Sequence, residues 1–424
     1  MDASVYKVQE SKQGTSGVIV TGVLCAFTIL QFFLQGSLSI MAHEVKKDFN
    51  IDAAAISLLS SAFFYSYILL QVPVGLILDK FGMRRTCFLA MLLMALSCVV
   101  FSFVETLEMA IAMRILMGAG ASFSFVAMLR SIKLYFPSER FIYIMSIVEF
   151  AGMVGVAFCN IFFSYLTDVV TWRASILTTA VLCFVLALIW RKMDLSGSEE
   201  KMSPSVDASK PSSWEILKEV SYNRLVWMNG LFAAFLYSIM TVFVALWGIP
   251  YSEKLYNIST TEAALLVSSV YFGLAFASLA LSFVVTFLNL KLVVRLGSLF
   301  CGIFLAWYIY LPPQNIFFGY VLLFAAGASS SVCQLAFGLV SHNVSKEIQS
   351  TAGGITNMLC MAGAPILQPL VGFALTLTHG SFLDGYESYT ISQYKAAFAL
   401  LIFCLFLAFV FSWFIFPQNK KLET

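Results

Sequence analysis

Twelve long apolar segments constrain this chain more than any other feature of its sequence. The hydrocarbon core of a bilayer is about 30 Å thick, and a helix that crosses it needs about 20 apolar residues. Because 60% of the residues are hydrophobic and only 11% are charged, lipid must be the solvent for most of the chain. We therefore predict an all-α membrane protein with twelve transmembrane helices, numbered spans 1 to 12. The predicted spans cover residues 18–41, 52–78, 84–103, 108–134, 141–166, 172–191, 226–250, 262–287, 291–310, 315–340, 350–376 and 394–416.

A polar stretch divides the twelve spans into two equal sets. Residues 192–222 are rich in Ser, Lys, Glu and Pro, a composition typical of a flexible linker. The sequence thus predicts one six-helix bundle over 1–191, the linker over 192–222 and a second six-helix bundle over 223–424. Two pseudo-symmetric bundles of this kind hold a substrate site between them, near the middle of the membrane.

The basic residues indicate how the chain is oriented. If both termini and the linker are cytoplasmic, 19 of the 25 Lys and Arg residues lie on the cytoplasmic side and 5 lie outside, with Arg114 inside the membrane. Cytoplasmic loops of membrane proteins carry such an excess of basic residues. We therefore predict a multi-pass protein whose two termini are cytoplasmic.

The sequence contains no pattern typical of an enzyme or a metalloprotein. Its nine cysteines are scattered, and His43, His342 and His379 share no helix face. It has no nucleophile elbow, phosphate-binding loop or basic stripe for nucleic acid. We therefore expect no catalytic activity, no metal, no cofactor and no nucleic-acid partner.

The connection between spans 2 and 3 carries the most specific motif. It reads GLILDKFGMRR from Gly75 to Arg85, with the spacing G-x-x-x-D-[RK]-x-G-x-[RK]-[RK]. At this position in a chain of twelve spans, the motif resembles the signature loop of the major facilitator superfamily of secondary transporters. The resemblance implies the fold of that superfamily, two pseudo-symmetric six-helix bundles, and a chain that acts as a monomer.

Further motifs narrow the resemblance to one branch of the superfamily. Span 4 reads R-x-x-x-G-x-G from Arg114, and span 11 reads TAGGITNM from Thr351 and GAPILQP from Gly363. Together these segments resemble the phagosomal nutrient transporters of intracellular gammaproteobacteria such as Legionella, along the whole chain. The resemblance implies a protein of the bacterial inner membrane that takes up small polar metabolites, notably amino acids and nucleosides. A related set of such carriers moves polycarboxylate siderophores.

The signature loop also implies a set of gating residues. In the superfamily, the acid equivalent to Asp79 faces the first turn of span 11, where unpaired backbone N–H groups stabilise a carboxylate. This contact would hold the two halves together on the cytoplasmic side. Arg114 is either a further gating residue or a structural group bound to backbone carbonyls or to span 1. The predicted gating residues are Gly75, Asp79, Gly82, Arg84, Arg85 and Arg114.

Ionisable side chains inside a span are costly, and each is therefore a candidate site residue. Arg130 in span 4 and Glu149 in span 5 fall at similar depths when counted at about 1.5 Å per residue, so we predict that they lie within reach of each other. Either they form a structural ion pair, or Arg130 binds an anion and Glu149 carries a proton. Proton coupling, if the transporter uses it, is predicted to run through Glu149.

Neutral polar residues complete the predicted substrate site. The family that this chain resembles has an acid and an arginine in span 1, where this chain has Gln31 and Gln35 on one helix face. Asn357 and Gln368 in span 11 also share a face, and buried amides need hydrogen bonds. The predicted substrate-binding residues are Gln31, Gln35, Arg130, Glu149, Trp247, Asn357 and Gln368.

These observations predict a secondary transporter that imports a carboxylate-bearing solute, such as an amino acid, by alternating access. An importer of a polycarboxylate siderophore or of a nucleoside is one alternative. An efflux carrier is another, although Gly152-Met-Val-Gly155 lacks the proline that follows this span-5 motif in many drug antiporters. A receptor or scaffold that keeps the fold without transport is the last. The expected partners are the small-molecule substrate, membrane lipid and, in a symporter, a proton.

Overall fold

A computed structural model describes residues 3–137, 140–193, 219–220, 222–344, 349–378 and 389–416. Twelve helices in this part of the chain are long and apolar enough to cross a membrane, which confirms the predicted all-α class. Spans 1 to 6 are the helices Ala3–Phe49, Ala53–Phe81, Met83–Phe103, Leu107–Tyr135, Phe141–Val169 and Trp172–Lys192. Spans 8, 9, 11 and 12 are Thr260–Phe287, Leu290–Tyr310, Gln349–Thr378 and Ile391–Phe411.

Two spans of the second half are not continuous α-helices, which the sequence did not predict. Span 7 begins as the α-helix Arg224–Leu236, continues as a π-helix over Ile239–Trp247 and ends as the α-helix Gly248–Tyr256. Span 10 changes to a short 3₁₀ turn near its middle. Its segments are the α-helix Ile316–Ser330, the 3₁₀ turn Ser331–Gln334 and the α-helix Leu335–Asn343.

Local capping fixes where several spans begin and end. The Asp52 side chain accepts a hydrogen bond from the Ala55 backbone N–H at 2.8 Å, at the start of span 2. Ser259 and Glu262 form a capping box at the start of span 8, which satisfies backbone donors that the helix itself cannot. Span 2 ends at Gly82, whose φ of 77° favours glycine. A single residue therefore connects spans 2 and 3.

Each half contains a close helix contact of the same kind. In the first half, Gly118 of span 4 lies against the backbone carbonyl of Phe63 in span 2, and a Cβ at that position would collide with it. In the second half, Gly327 of span 10 lies in the same way against the carbonyl of Val270 in span 8. Small residues let membrane helices approach this closely. Because spans 2 and 4 correspond to spans 8 and 10, the contacts agree with two pseudo-symmetric bundles.

The two halves meet along two long helix pairs. Span 2 packs against span 11, and span 5 packs against span 8; exchanging the halves turns one pair into the other. Span 1 also packs against the π-helix of span 7. The predicted boundary between the halves stays a prediction, because residues 194–218 and 221 of the linker lie outside the described part. We call the end of the bundle that holds Gly82 the motif end, and the end that holds Asp52 the opposite end.

Candidate functional site

The two halves are hydrogen-bonded to each other at the opposite end. The Ala53 backbone N–H of span 2 donates to the Tyr389 hydroxyl, at 3.1 Å, just before span 12. The Thr261 hydroxyl of span 8 donates to the Asp168 carboxylate of span 5 at 2.7 Å. Lys46 adds a cation 5.2 Å from the centre of the Tyr389 ring. These contacts close the space between the halves at this end.

Spans 2 and 11 touch near the opposite end and separate toward the motif end. A Cβ added to Gly372 of span 11 would collide with the Ser57 hydroxyl of span 2. Nearer the motif end, Gly75 lies on the same face of span 2 as Ser57, and Gly354 lies on the same face of span 11 as Gly372. A Cβ added at either glycine would meet none of the described atoms within 4 Å. The described halves are therefore in contact at the opposite end, and spans 2 and 11 leave more space between them at Gly75 and Gly354.

A small cavity lies between the halves, where span 1 faces spans 7 and 8. Polar side chains of Gln35, Tyr237, Thr241 and Tyr271 line it. The space left among them is about that of one water molecule. At about 1.5 Å per residue, Gln35 lies roughly 20 Å along span 1 from the opposite end. This depth places the cavity near the middle of the bundle.

Four buried amide side chains near this depth have unpaired donors. The NH₂ groups of Gln31, Gln35, Gln71 and Asn357 have no hydrogen-bond partner among the described residues, and each residue is at most 6% exposed. The Gln31 oxygen, by contrast, accepts a hydrogen bond from Ser124 at 3.3 Å. An unpaired buried donor costs about 1–3 kcal/mol. Each of these donors is therefore available to an acceptor oxygen that the described residues do not supply.

The proximity of Arg130 and Glu149 stays a prediction. Span 1 packs against both span 4 and span 5, which make few contacts with each other. Glu149 lies beside the side chain of Gln334 in span 10. Its carboxylate thus meets the other half of the protein.

The other two predicted binding residues lie in different surroundings. The Gln368 amide donates to the Thr241 carbonyl of the π-helix and accepts a hydrogen bond from Ser61 of span 2 at 3.4 Å. Both the nitrogen and the oxygen of the Gln368 amide are therefore hydrogen-bonded. Trp247, the last residue of the π-helix, is fully buried, and its ring centre lies 6.3 Å from that of Tyr394. Its indole N–H has no described partner.

Arg114 is surrounded by backbone carbonyls. Its guanidinium donates to the Leu34 carbonyl of span 1 at 2.7 Å and to the Leu59 and Ser60 carbonyls of span 2, each at 3.4 Å. It also lies 5.1 Å from the centre of the Phe63 ring. Arg114 thus connects spans 1, 2 and 4 inside the first half. This is the structural alternative that the sequence left open, and its gating role stays a prediction.

The remaining gating residues lie at the motif end. Arg84 donates a hydrogen bond to the Arg191 carbonyl at 3.3 Å, and its own carbonyl accepts one from the Trp190 indole at 3.0 Å. Arg85 lines a surface cavity beside Arg84 and Arg191. The side chain of Asp79 lies outside the described part of the structure. Its contact with span 11 therefore stays a prediction.

Sequence reasoning missed Gln71 and Thr241. The Tyr67 hydroxyl lies close to the Gln71 and Asn357 side chains, which brings spans 2 and 11 together at this site. Gln71 is an amide inside an apolar span, so the criterion that selected Gln31 could also have found it. No sequence pattern could have found Thr241, because Gln368 bonds its backbone carbonyl. The position of that carbonyl depends on the π-helix.

Comparison with protein families gives one match that covers most of the chain. The family model described as Major Facilitator Superfamily matches residues 24–369. Among relatives, the "Probable galactarate/D-glucarate transporter GarP" of Escherichia coli K12 is 23% identical over 411 residues, which are 88% of this chain and 91% of that protein. The "Probable galactarate/D-glucarate transporter GudP" of Bacillus subtilis is 24% identical over 412 residues, 85% of this chain and 86% of that protein.

Solved structures of low sequence identity share the fold. A crystal structure of a mutant of the nucleoside transporter NupG superposes with a TM-score of 0.73 at 13% identity and covers 94% of this chain and 100% of that one. A bacterial homologue of the human lysosomal transporter Spinster, in an inward-facing and occupied conformation, superposes with a TM-score of 0.72 at 13% identity and covers 94% of this chain and 96% of that one.

Proposed function

Since the chain belongs to the Major Facilitator Superfamily, we propose that it is a secondary transporter that imports a hydroxylated organic acid across the bacterial inner membrane. Alternating access between the two halves would move the solute. The carboxylate predicted from the sequence is kept in this proposal, while the rest of the solute is proposed to resemble a sugar acid more than an amino acid. Support comes from the relatives, whose names refer to galactarate and D-glucarate.

The unpaired amide donors carry this proposal. Gln31, Gln35 and Gln71 of the first half and Asn357 of the second supply NH₂ groups without described partners. A sugar acid offers a hydroxyl oxygen on almost every carbon, so it can accept several of these hydrogen bonds at once. A site with few charges and several amides favours such a solute over one with many charges, such as a polycarboxylate siderophore.

The carboxylate of the solute needs a cation, and Arg130 remains the proposed one. Arginine can bind a carboxylate through two parallel N–H groups. Arg130 is half-buried near the motif end of span 4, on the side where the halves separate. A solute that enters or leaves through the motif end would pass at the depth of Arg130.

Uptake in proteoliposomes tests the proposed substrate class. The purified protein should exchange labelled galactarate, D-glucarate or galactonate and should not exchange an amino acid or a nucleoside. Gln35→Glu should reduce this exchange about tenfold or more, because it places a negative charge in the central cavity. Gln35→Leu should reduce it less. Exchange of uridine or glutamate but not of any sugar acid would refute the proposal.

A further inference from the structure

A surface cavity at the motif end has no part in the proposed solute path. It has a volume of about 310 Å³ and is lined by Phe81, Arg84, Arg85, Phe88 and Arg191. These residues come from the end of span 2, the start of span 3 and the end of span 6. Three of the five carry a positive charge and none is acidic.

Two arginines of this cavity, Arg84 and Arg191, are held by contacts between spans 3 and 6. The Arg84 side chain bonds the Arg191 carbonyl, and the Trp190 indole bonds the Arg84 carbonyl, so the ends of spans 3 and 6 are fixed against each other. The Arg191 guanidinium lies over the Phe88 ring, 5.2 Å from its centre. Guanidinium groups positioned in this way can bind a phosphate through several N–H groups at once.

Two exposed apolar stripes run from these arginines along the outer surface of the bundle. On span 3, Leu89 and Leu96 follow Arg85 on the same helix face and are 51% and 55% exposed. On span 6, Leu188 and Phe184 precede Arg191 on one face and are 42% and 47% exposed. Side chains of this kind contact lipid tails in a membrane. The cavity therefore lies where the lipid-facing surface meets the water.

We propose that this cavity binds the phosphate of an anionic membrane phospholipid, whose acyl chains lie along the stripes of spans 3 and 6. A soluble phosphate would use the same arginines but would gain nothing from the stripes. Basic pockets between membrane helices are suited to anionic lipid headgroups. The bound lipid would join spans 2, 3 and 6 at the motif end, where the first half moves relative to the second.

Native mass spectrometry of the purified protein tests this site. Protein mixed with phosphatidylglycerol should keep one tightly bound lipid, and protein mixed with phosphatidylcholine should not. The double variant Arg85→Gln and Arg191→Gln should bind the lipid roughly thirtyfold more weakly, since each basic residue near an anionic surface contributes about 1 kcal/mol. The matched control is Arg224→Gln with Lys291→Gln, which removes two positive charges at the same end but outside the cavity; it should change binding less than twofold.

Other outcomes separate this proposal from its alternatives. Equal loss in the two double variants would show nonspecific attraction and refute the site. Displacement of the lipid by millimolar inorganic phosphate would assign the cavity to a soluble ligand instead. If the arginine variant does not fold, a photoreactive phosphatidylglycerol can be used with the unchanged protein. It should label peptides that contain Leu89 or Leu188, and labelling confined to the second half would refute the proposal.

Discussion

Two glutamines inside the membrane, Gln71 and Gln368, differ in whether their amide groups are hydrogen-bonded within the protein. Gln71 has an unpaired NH₂ group, whereas Gln368 uses both its nitrogen and its oxygen. The first is suited to bind a solute, and the second is suited to hold spans 2, 7 and 11 together. Both are nearly or fully buried, so burial alone cannot distinguish them.

We expect Gln71→Leu to affect transport and Gln368→Leu to affect stability. Gln71→Leu should leave the stability nearly unchanged and reduce solute exchange at least tenfold, because the Gln71 NH₂ group has no described hydrogen-bond partner and is available to a solute. Gln368→Leu should lower the stability by about 1–3 kcal/mol, because its partners lose their hydrogen bonds. Thermal unfolding in detergent and exchange in proteoliposomes measure the two effects. A loss of stability in Gln71→Leu would contradict the assignment.

Arg114 should matter more for stability than for gating. Arg114→Lys keeps the charge but cannot reach the Leu34, Leu59 and Ser60 carbonyls together, because an ammonium is a compact group without the planar fork of a guanidinium. We expect a loss of roughly 2–5 kcal/mol, typical of a broken buried charge network, visible as a lower unfolding temperature. Unchanged thermal stability combined with lost transport would instead favour the predicted gating role.

Glu149 is the residue through which proton coupling is expected to run. Glu149→Gln should abolish accumulation driven by a pH gradient while counterflow exchange continues, because a neutral amide keeps the contact with Gln334 but cannot release a proton. The matched control is Glu108→Gln, which changes an exposed acid in the first turn of span 4. Retained pH-driven accumulation in Glu149→Gln would indicate a uniporter or a different coupling residue.

At the scale of elements, we expect the contact between spans 2 and 11 at Gly372 to hold the opposite end closed. Gly372→Ala would place a methyl group against Ser57 across the two halves, and overpacking of this kind costs about 1–3 kcal/mol. We expect the closed opposite end to become less populated. A cysteine introduced at Ser57 is the probe; its labelling by a membrane-impermeant maleimide should become faster when Gly372→Ala is added.

The control for this experiment is Gly22→Ala, a glycine of span 1 at which an added Cβ meets nothing within 4 Å. It should leave the labelling rate at position 57 unchanged. Equal rates in the two backgrounds would show that the contact at Gly372 does not hold the opposite end closed.

The sequence predicted the elements well and their contacts less well. Apolar length and polar connections were sufficient for all twelve spans, since each signal is local. Spans 4 and 5 show the limit: a short loop joins them, but both pack against span 1 more than against each other, and no local pattern reports that. Span 7 shows a second limit, because Ile239–Trp247 contains neither proline nor glycine that would indicate an irregular helix.

At the scale of the whole molecule, the motif end should face the cytoplasm. Cysteine labelling in intact cells tests this orientation with Ser205→Cys in the linker and Ser381→Cys in the connection between spans 11 and 12. An impermeant maleimide should label position 381 and not position 205, because the basic residues favour a cytoplasmic linker. The native cysteines are buried or, for Cys159, half-buried, so background labelling should be low. Labelling of position 205 would reverse the orientation.

The π-helix of span 7 also affects how the two halves should be aligned. A π-helical turn contains more residues than an α-helical turn, so Ile239–Trp247 acts as an insertion relative to the corresponding stretch of span 1. Each inserted residue rotates everything that follows by about 100° around the helix axis. Tyr251 and Ser252, which bond the Ile309 carbonyl and the Tyr308 hydroxyl, owe their direction to that rotation. An alignment of the halves without a gap here would therefore match residues that lie on different faces of the helix.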